Sequence, residues 1–211
     1  TNSLVLGKTR AQAINLSIEK NFDTVILDDG YQDKSIQKNL NIICFNSAQS
    51  IGNGLVLPAG PLRQNLSSIN NSQIVIINGE KNTNLETKIH SINKNISIYY
   101  SKYKPCNLEK FKNLKFLAFA GIGNPNNFFK LCEESDLDIR KTLSFPDHYN
   151  FKNSEIKKII DYASQNELSV ITTLKDYMRI QHLGFKNIYY LDVELIILQK
   201  DKFINQLLTY L

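Results

Sequence analysis

The run Val25-Ile26-Leu27-Asp28-Asp29-Gly30 puts two adjacent carboxylates directly after a short apolar segment. Apolar residues ending in acidic ones describe a Walker B arrangement. A buried strand there fixes its carboxylates at the crevice where α/β folds bind ligands. A magnesium ion bridging phosphate oxygens needs hard oxygen ligands held in this way, directly or through water. Asp28 and Asp29 are therefore candidate catalytic and metal-holding residues. A strand that simply ends in a turn accounts for the same residues, because Asp-Gly is a common turn dipeptide. The chain contains no phosphate loop to accompany them. Gly7-Lys8-Thr9 supplies the last three residues of G-x-x-x-x-G-K-[ST], but the required glycine five places earlier is Asn2.

Three further segments could carry chemistry. Gly52 to Arg63 packs Gly52, Gly54 and Gly60 with Pro58 and Pro61 into one loop. Such a composition specifies a set shape and lets backbone approach a ligand closely. Arg63 follows at an expected helix start and could set a planar, five-donor cation against a phosphate. Ser144 to Tyr149 holds His148 beside Asp147. A histidine next to a carboxylate can share a proton and support a general base. Thr172-Thr173-Leu174-Lys175-Asp176 reads as a helix N-cap, or as a site at a strand-to-helix turn. His90 and His182 read as polar surface residues.

The elements that position these residues alternate in the manner of an α/β fold. Helices are expected at about Thr9–Lys20, Pro125–Glu134 and Ser154–Ser164, and from Lys175 and Asp201 onward. Strands are expected at Thr24–Leu27, Asn41–Phe45, Ile74–Ile77, Asn95–Tyr103, Leu114–Phe119, Ile139–Leu143, Ser169–Thr172 and Tyr189–Val193. Lys81 to Asn95 is polar and rich in Asn and Lys, and Pro105 breaks the chain shortly after. The expected division is 1–104 and 105–211, with the Walker B strand in the first part.

Composition narrows the classes. Apolar residues make up 42% of 211, which excludes disorder as the main state. Three cysteines with no C-x-x-C pair exclude a disulfide framework and a zinc knuckle, and point to a reducing compartment. No apolar run approaches the roughly 20 residues of a membrane span, and no signal peptide opens the chain. The chain opens at Thr1 without Met and reads as the continuation of something longer. A formal charge of +5 suits an anionic ligand, an acidic membrane surface or nucleic acid without choosing among them.

Taken in order, these segments resemble the tetraacyldisaccharide 4'-kinase family of lipid A biosynthesis. The stretches that carry the resemblance are Asp28-Asp29-Gly30-Tyr31-Gln32, Gly52 to Arg63, Phe119 to Pro125 with Phe128-Phe129, Phe145 to His148, and Thr172-Thr173 with Lys175-Asp176. The resemblance implies a P-loop-type parallel sheet with helices and a second, smaller α/β domain. It implies ATP and magnesium, with γ-phosphate transfer to the 4'-hydroxyl of a tetraacyl disaccharide 1-phosphate. The partners it implies are that lipid A precursor and an anionic membrane surface, with no nucleic acid. It also implies a monomer acting at the cytoplasmic face of the bacterial inner membrane, and a soluble state for this chain alone. Asp28 and Asp29 match the Walker-B-type pair, and His148 matches a histidine supporting the catalytic base. Gln32, Asn53 and Arg63 match substrate-binding positions near the cleft, and Gly7 to Arg10 resembles the family's Gly-Arg-Asp-Arg stretch. The phosphate loop, a membrane-contacting helix and the segment with the proposed base would lie upstream, so this chain alone is expected to be inactive. Asp33, Gln64 and Leu174 stand where the family usually has His, Glu and Glu. Two other classes fit the same residues: a non-catalytic nucleotide- or sugar-phosphate-binding module, and a glycosyltransferase-like enzyme with Asp28 and Asp29 as metal ligands.

Overall fold

The structure, a computed structural model, describes residues 3–211. It is a mixed α/β protein of two compact units, Thr1–Lys102 with Ile196–Leu211 and Tyr103–Leu195. Each unit is built on a four-stranded sheet.

The sheet of the first unit has the order β1-β2-β3-β8, with β1 at Ile42–Asn46, β2 at Ile74–Asn78, β3 at Ser97–Pro105 and β8 at Val193–Ile197. β1 pairs with β2, and β2 with β3, in parallel. β2 is apolar on both faces, as an inner parallel strand must be, and Ile74, Val75 and Ile77 are fully buried. Helix α1, Arg10–Glu19, starts where the Thr9 hydroxyl accepts the Gln12 amide at 3.2 Å. Helix α2, Thr83–Ile92, occupies the stretch that reads as merely polar in the sequence. Its buried apolar residues are Leu85 and Ile89, one turn apart, with Ile92 partly buried against the same core, and Asn82 caps it by accepting the Leu85 amide at 2.9 Å. Helix α6, Lys200–Leu208, groups with this unit, whereas the sequence reading kept 105–211 together. It is tied there by Tyr99, whose ring meets Phe203 edge-on at 5.2 Å and whose hydroxyl donates to Gln206 at 2.6 Å.

One expected strand does not form. Thr24–Leu27 carries no regular secondary structure, and Ile26 is 92% exposed. A strand exists only through its ladder. Among the described residues β1 stands at the edge of its sheet and nothing pairs with 24–27.

The second unit is a parallel sheet of order β5-β4-β6-β7, with β4 at Lys115–Ala120, β5 at Asp138–Ser144, β6 at Ser169–Thr173 and β7 at Ile188–Leu191. The single strand expected near Tyr189–Val193 is thus two, β7 and β8. Helices α3, Pro125–Glu134, α4, Asn153–Gln165, and α5, Leu174–Ile180, form the crossovers. β4 shows why the sheet is covered on both faces. Phe116, Ala118 and Ala120 enter one core with Phe128, Phe129 and Cys132 of α3, and Leu117 and Phe119 enter the other with Ile156 and Ile159 of α4. Burial pushes the Cys132 thiol up to about 12, so it packs as a small apolar group. The chain leaves β4 toward β5 and leaves β6 toward β7 on the other side. The order of the sheet therefore reverses between β4 and β6.

The entry to α4 has a titratable brace. Glu155 accepts the Lys152 amide at 2.9 Å and the Tyr149 hydroxyl at 2.8 Å. The Lys152 bond first, then the Tyr149 bond, holds its carboxyl below the ordinary 4.5. A depressed carboxylate stabilises fully above its unfolded value and loses that contribution as pH falls through the folded one. Thermal unfolding of the chain below pH 4.5 should therefore show an acid-side loss that Glu155→Gln flattens, with little difference between the two proteins near neutrality.

Candidate functional site

The first cluster lies in the first unit. Asp28 and Asp29 form a turn directly after the unpaired 24–27 segment. Asp29 has φ +52, a left-handed conformation that Asp tolerates better than most residues. Cations staple this turn from outside. Arg10 donates to the Asp29 carbonyl at 3.2 Å and to the Asp33 carboxylate at 3.2 Å. Lys38 donates to the carbonyls of Gly30, at 3.0 Å, and Asp33. Asp33 is held below the usual carboxylate range by the hydroxyl and amide of Ser35, with Arg10 adding to the effect. Arg63 forms an ion pair with the Asp29 carboxylate. Both partners are more than half exposed, so the pair is a weak and separable link. The Asp28 carboxylate is exposed and bonded to no described residue. Gln32 is half-buried, and its side-chain oxygen is buried with no donor among the described residues.

The Gly/Pro loop reaches the same cluster through Arg63. It is a closed turn: Leu57 donates to the Leu62 carbonyl at 2.8 Å and Leu62 donates to the Leu55 carbonyl at 3.1 Å. Asn53 braces it from inside, donating to the Ala59 carbonyl at 2.8 Å and accepting the Leu55 amide at 3.1 Å. Both ends of this amide are thereby engaged within the loop. Gly60 is required by this brace, since a Cβ there would sit 2.2 Å from the Asn53 oxygen and 2.3 Å from the Leu55 carbonyl oxygen. The helix start expected at Arg63 does not form. The next helical turn is a short 3-10 segment, Leu66–Asn71, which Asn65 caps by accepting the Ser67 amide. The structure thus brings Asp29 and Arg63 together, with Asp28 adjacent in the chain.

His148 lies in the second unit, in the β5–α4 connection. It too has a left-handed backbone, φ +57. Its Nδ1 is 2.9 Å from a guanidinium nitrogen of Arg179, and its Nε2 is 3.8 Å from the Asp147 carboxylate. Thr173 is the N-cap of α5 and accepts the Asp176 amide at 3.0 Å. Asp176 is fully buried, with Arg179 on it at 3.1 Å. Removing the arginine from such a pair costs about 3–5 kcal/mol, because a buried carboxylate is left uncompensated. In the sequence Asp176 belongs to a segment read as a cap or a strand-to-helix site, with no role of its own, and Arg179 is not singled out. The one signal for Arg179 is its place three residues after that acid on a helix.

Hard oxygen donors on Asp28 and Asp29 suit magnesium rather than a softer metal. Among the described residues no group of three or more His, Cys, Asp or Glu side chains gathers to hold a metal unaided. Phosphates and water would therefore have to complete the coordination. Among the described residues no helix is long and apolar enough to cross a membrane.

Comparison with known proteins gives a consistent result. A sequence model of the family described as tetraacyldisaccharide-1-P 4'-kinase matches residues 1–211. The tetraacyldisaccharide 4'-kinase of Pelagibacter ubique is 38% identical over 202 residues, 94% of this chain and 64% of that protein. The enzyme of the same name from Bartonella quintana is 34% identical, over 94% of this chain and 59% of its own. The chain therefore spans less than two thirds of the length of these relatives. Among solved structures, LpxK from Aquifex aeolicus, crystallised in complex with ATP, superimposes with a TM-score of 0.66 at 21% identity. The match covers 95% of this chain and 62% of that one. At that identity the match shows that the two chains share a fold.

The loop geometry makes a prediction of its own. Gly60→Ala should lower stability by about 1–3 kcal/mol through forced backbone strain. Gly123→Ala, whose new Cβ would come no closer than 3.4 Å to Asp147, should change it by much less. Thermal melts of the two variants side by side check this, and equal losses would mean that the loop is slack.

Proposed function

The chain belongs to the tetraacyldisaccharide-1-P 4'-kinase family, and on that premise we propose that it carries part of the machinery for ATP-dependent phosphorylation of the 4'-hydroxyl of tetraacyldisaccharide 1-phosphate. The observation that carries the reading is the family match across all of 1–211. The joining of the Asp28-Asp29 turn to the Gly/Pro loop through Arg63 supports it.

Phosphoryl transfer asks a protein mainly for positioning and charge stabilisation. Asp28 and Asp29 are the residues that would hold magnesium, which neutralises charge on the phosphates when bound. Arg63 neutralises Asp29 in the present arrangement, and the pair is exposed enough to part. Arg63 is then free to meet an anionic group of a substrate, and the Asp29 carboxylate is free for the metal. Gln32 contributes an open buried acceptor beside the turn. Asn53 acts through the shape of its loop. His148 supports the proton transfer from the sugar hydroxyl. The net charge of +5 favours work at an anionic membrane face, where the lipid acceptor resides.

No G-x-x-x-x-G-K-[ST] occurs in the chain, and the backbone donors and lysine of that loop stabilise the transferring group. These 211 residues alone should therefore transfer no phosphate. Joined behind the upstream segment of the Pelagibacter ubique relative, they should add the mass of one phosphate to the disaccharide acceptor. Within that enzyme Asp29→Asn and His148→Ala should each lower kcat by about 10² to 10⁴, with KM changing less. An acceptor gaining a sugar would mark a glycosyltransferase, and an acceptor bound but unchanged would mark a binding module.

A further inference from the structure

The reversal of strand order between β4 and β6 marks the place where an open parallel sheet presents a ligand crevice. Three loops meet at this carboxyl edge: the one after β4, beginning at Gly121, the β5–α4 connection with His148, and the start of α5. Asp176 joins them from within. Its Oδ2 accepts the Gly121 amide at 2.9 Å and the Thr173 hydroxyl at 2.9 Å, and its Oδ1 accepts Arg179 at 3.1 Å. Arg179 Nη1 also donates to the Gly121 carbonyl at 3.1 Å, so its orientation is fixed on two sides. Only its Nη2 reaches outward, to His148 Nδ1 at 2.9 Å.

A guanidinium carries donors and no acceptor. The ring nitrogen that faces it must therefore accept. A neutral imidazole accepting at Nδ1 carries its proton on Nε2. The opposite tautomer would set one N–H against another at 2.9 Å. Asp147 lies 3.8 Å from Nε2, outside hydrogen-bond reach, which leaves the Nε2–H free. The ring is mostly exposed and its backbone is left-handed, so packing does not hold it there.

We propose that Asp176 and Arg179 are positioning residues that lock His148 as its Nε2–H tautomer, so that it meets an anionic oxygen as a hydrogen-bond donor. The bonding order is buried carboxylate, guanidinium, imidazole, and then the ligand's oxygen, whether of a carboxylate that takes the sugar proton or of a phosphate. The proposal deepens the kinase reading and rests on it for the identity of that oxygen alone. The tautomer itself is a property of this chain and is measured without catalysis.

The test is long-range ¹H–¹⁵N NMR of the ¹⁵N-histidine-labelled chain at about pH 8.5, above the ordinary histidine range. His148 is assigned by its disappearance in His148→Gln. The expected wild-type spectrum shows protonated Nε2 and bare Nδ1, in excess over the other tautomer on the order of tenfold or more. Arg179→Met and Asp176→Asn should each move both His148 nitrogens toward averaged positions, while His90 and His182 stay where they are in the folded protein. A wild-type proton on Nδ1, or an even mixture, overturns the proposal. So does an unchanged His148 in Arg179→Met with native His90 and His182 signals. Should both variants unfold, the wild-type spectrum decides alone. If the joined enzyme transfers no phosphate while the Nε2–H form dominates and depends on Arg179, the kinase reading falls and the positioning role stands.

Discussion

A carboxylate with no access to water cannot be left alone, and Asp176 is such a group. Its needs shape the second unit around it. It takes the Gly121 amide at the end of β4, the Thr173 hydroxyl at the end of β6 and the Arg179 guanidinium one turn along α5. Those three donors come from the two strands that flank the reversal of the sheet and from the helix that follows. Satisfying one buried charge thus pins the carboxyl edge of the sheet in a single arrangement. Gly121 is also crowded from the other side, where a Cβ would sit 3.1 Å from the Phe151 ring and 3.2 Å from the Tyr149 Cβ.

The first unit handles charge differently. Its carboxylates sit in an exposed turn, and the cations around them are exposed or half-buried, so no single pair is worth much. Rigidity comes from backbone closure instead: Lys38 on the turn carbonyls, and Asn53 inside the Gly/Pro loop. That division suits the proposed chemistry. A metal and an anionic group must be able to part Asp29 from Arg63, whereas a histidine that must present one tautomer needs a partner that cannot be displaced.

Much of this was legible in the sequence where local pattern and tertiary role agree. The strand expected at Leu114–Phe119 forms as Lys115–Ala120 because the run is short and apolar, and Pro125 at the start of α3 fixes the next boundary. The Thr173 cap was legible because a side-chain acceptor three residues before its donor amide is a local motif. Helix α2 was hidden because its three apolar residues are outnumbered by polar ones. Thr24–Leu27 misled in the opposite direction. Its residues favour a strand, but pairing is not a property of the segment itself. The ion pair of Asp29 with Arg63 spans 34 residues, and the hydrogen bond of Arg179 with His148 spans 31. Neither leaves a trace in spacing, because each depends on loops that only the folded sheets bring together.

The claim that one buried carboxylate organises the edge of the second sheet is tested most directly by native-state hydrogen exchange at the Gly121 amide. The readout is its rate relative to Ala118 in the middle of β4, a ratio that cancels any global loss of stability. In Asp176→Ala the Gly121 amide loses its acceptor, and its protection relative to Ala118 should fall roughly a hundredfold. A ratio unchanged from wild type would contradict the account, since Gly121 would then be held by its strand and Asp176 would be a passenger.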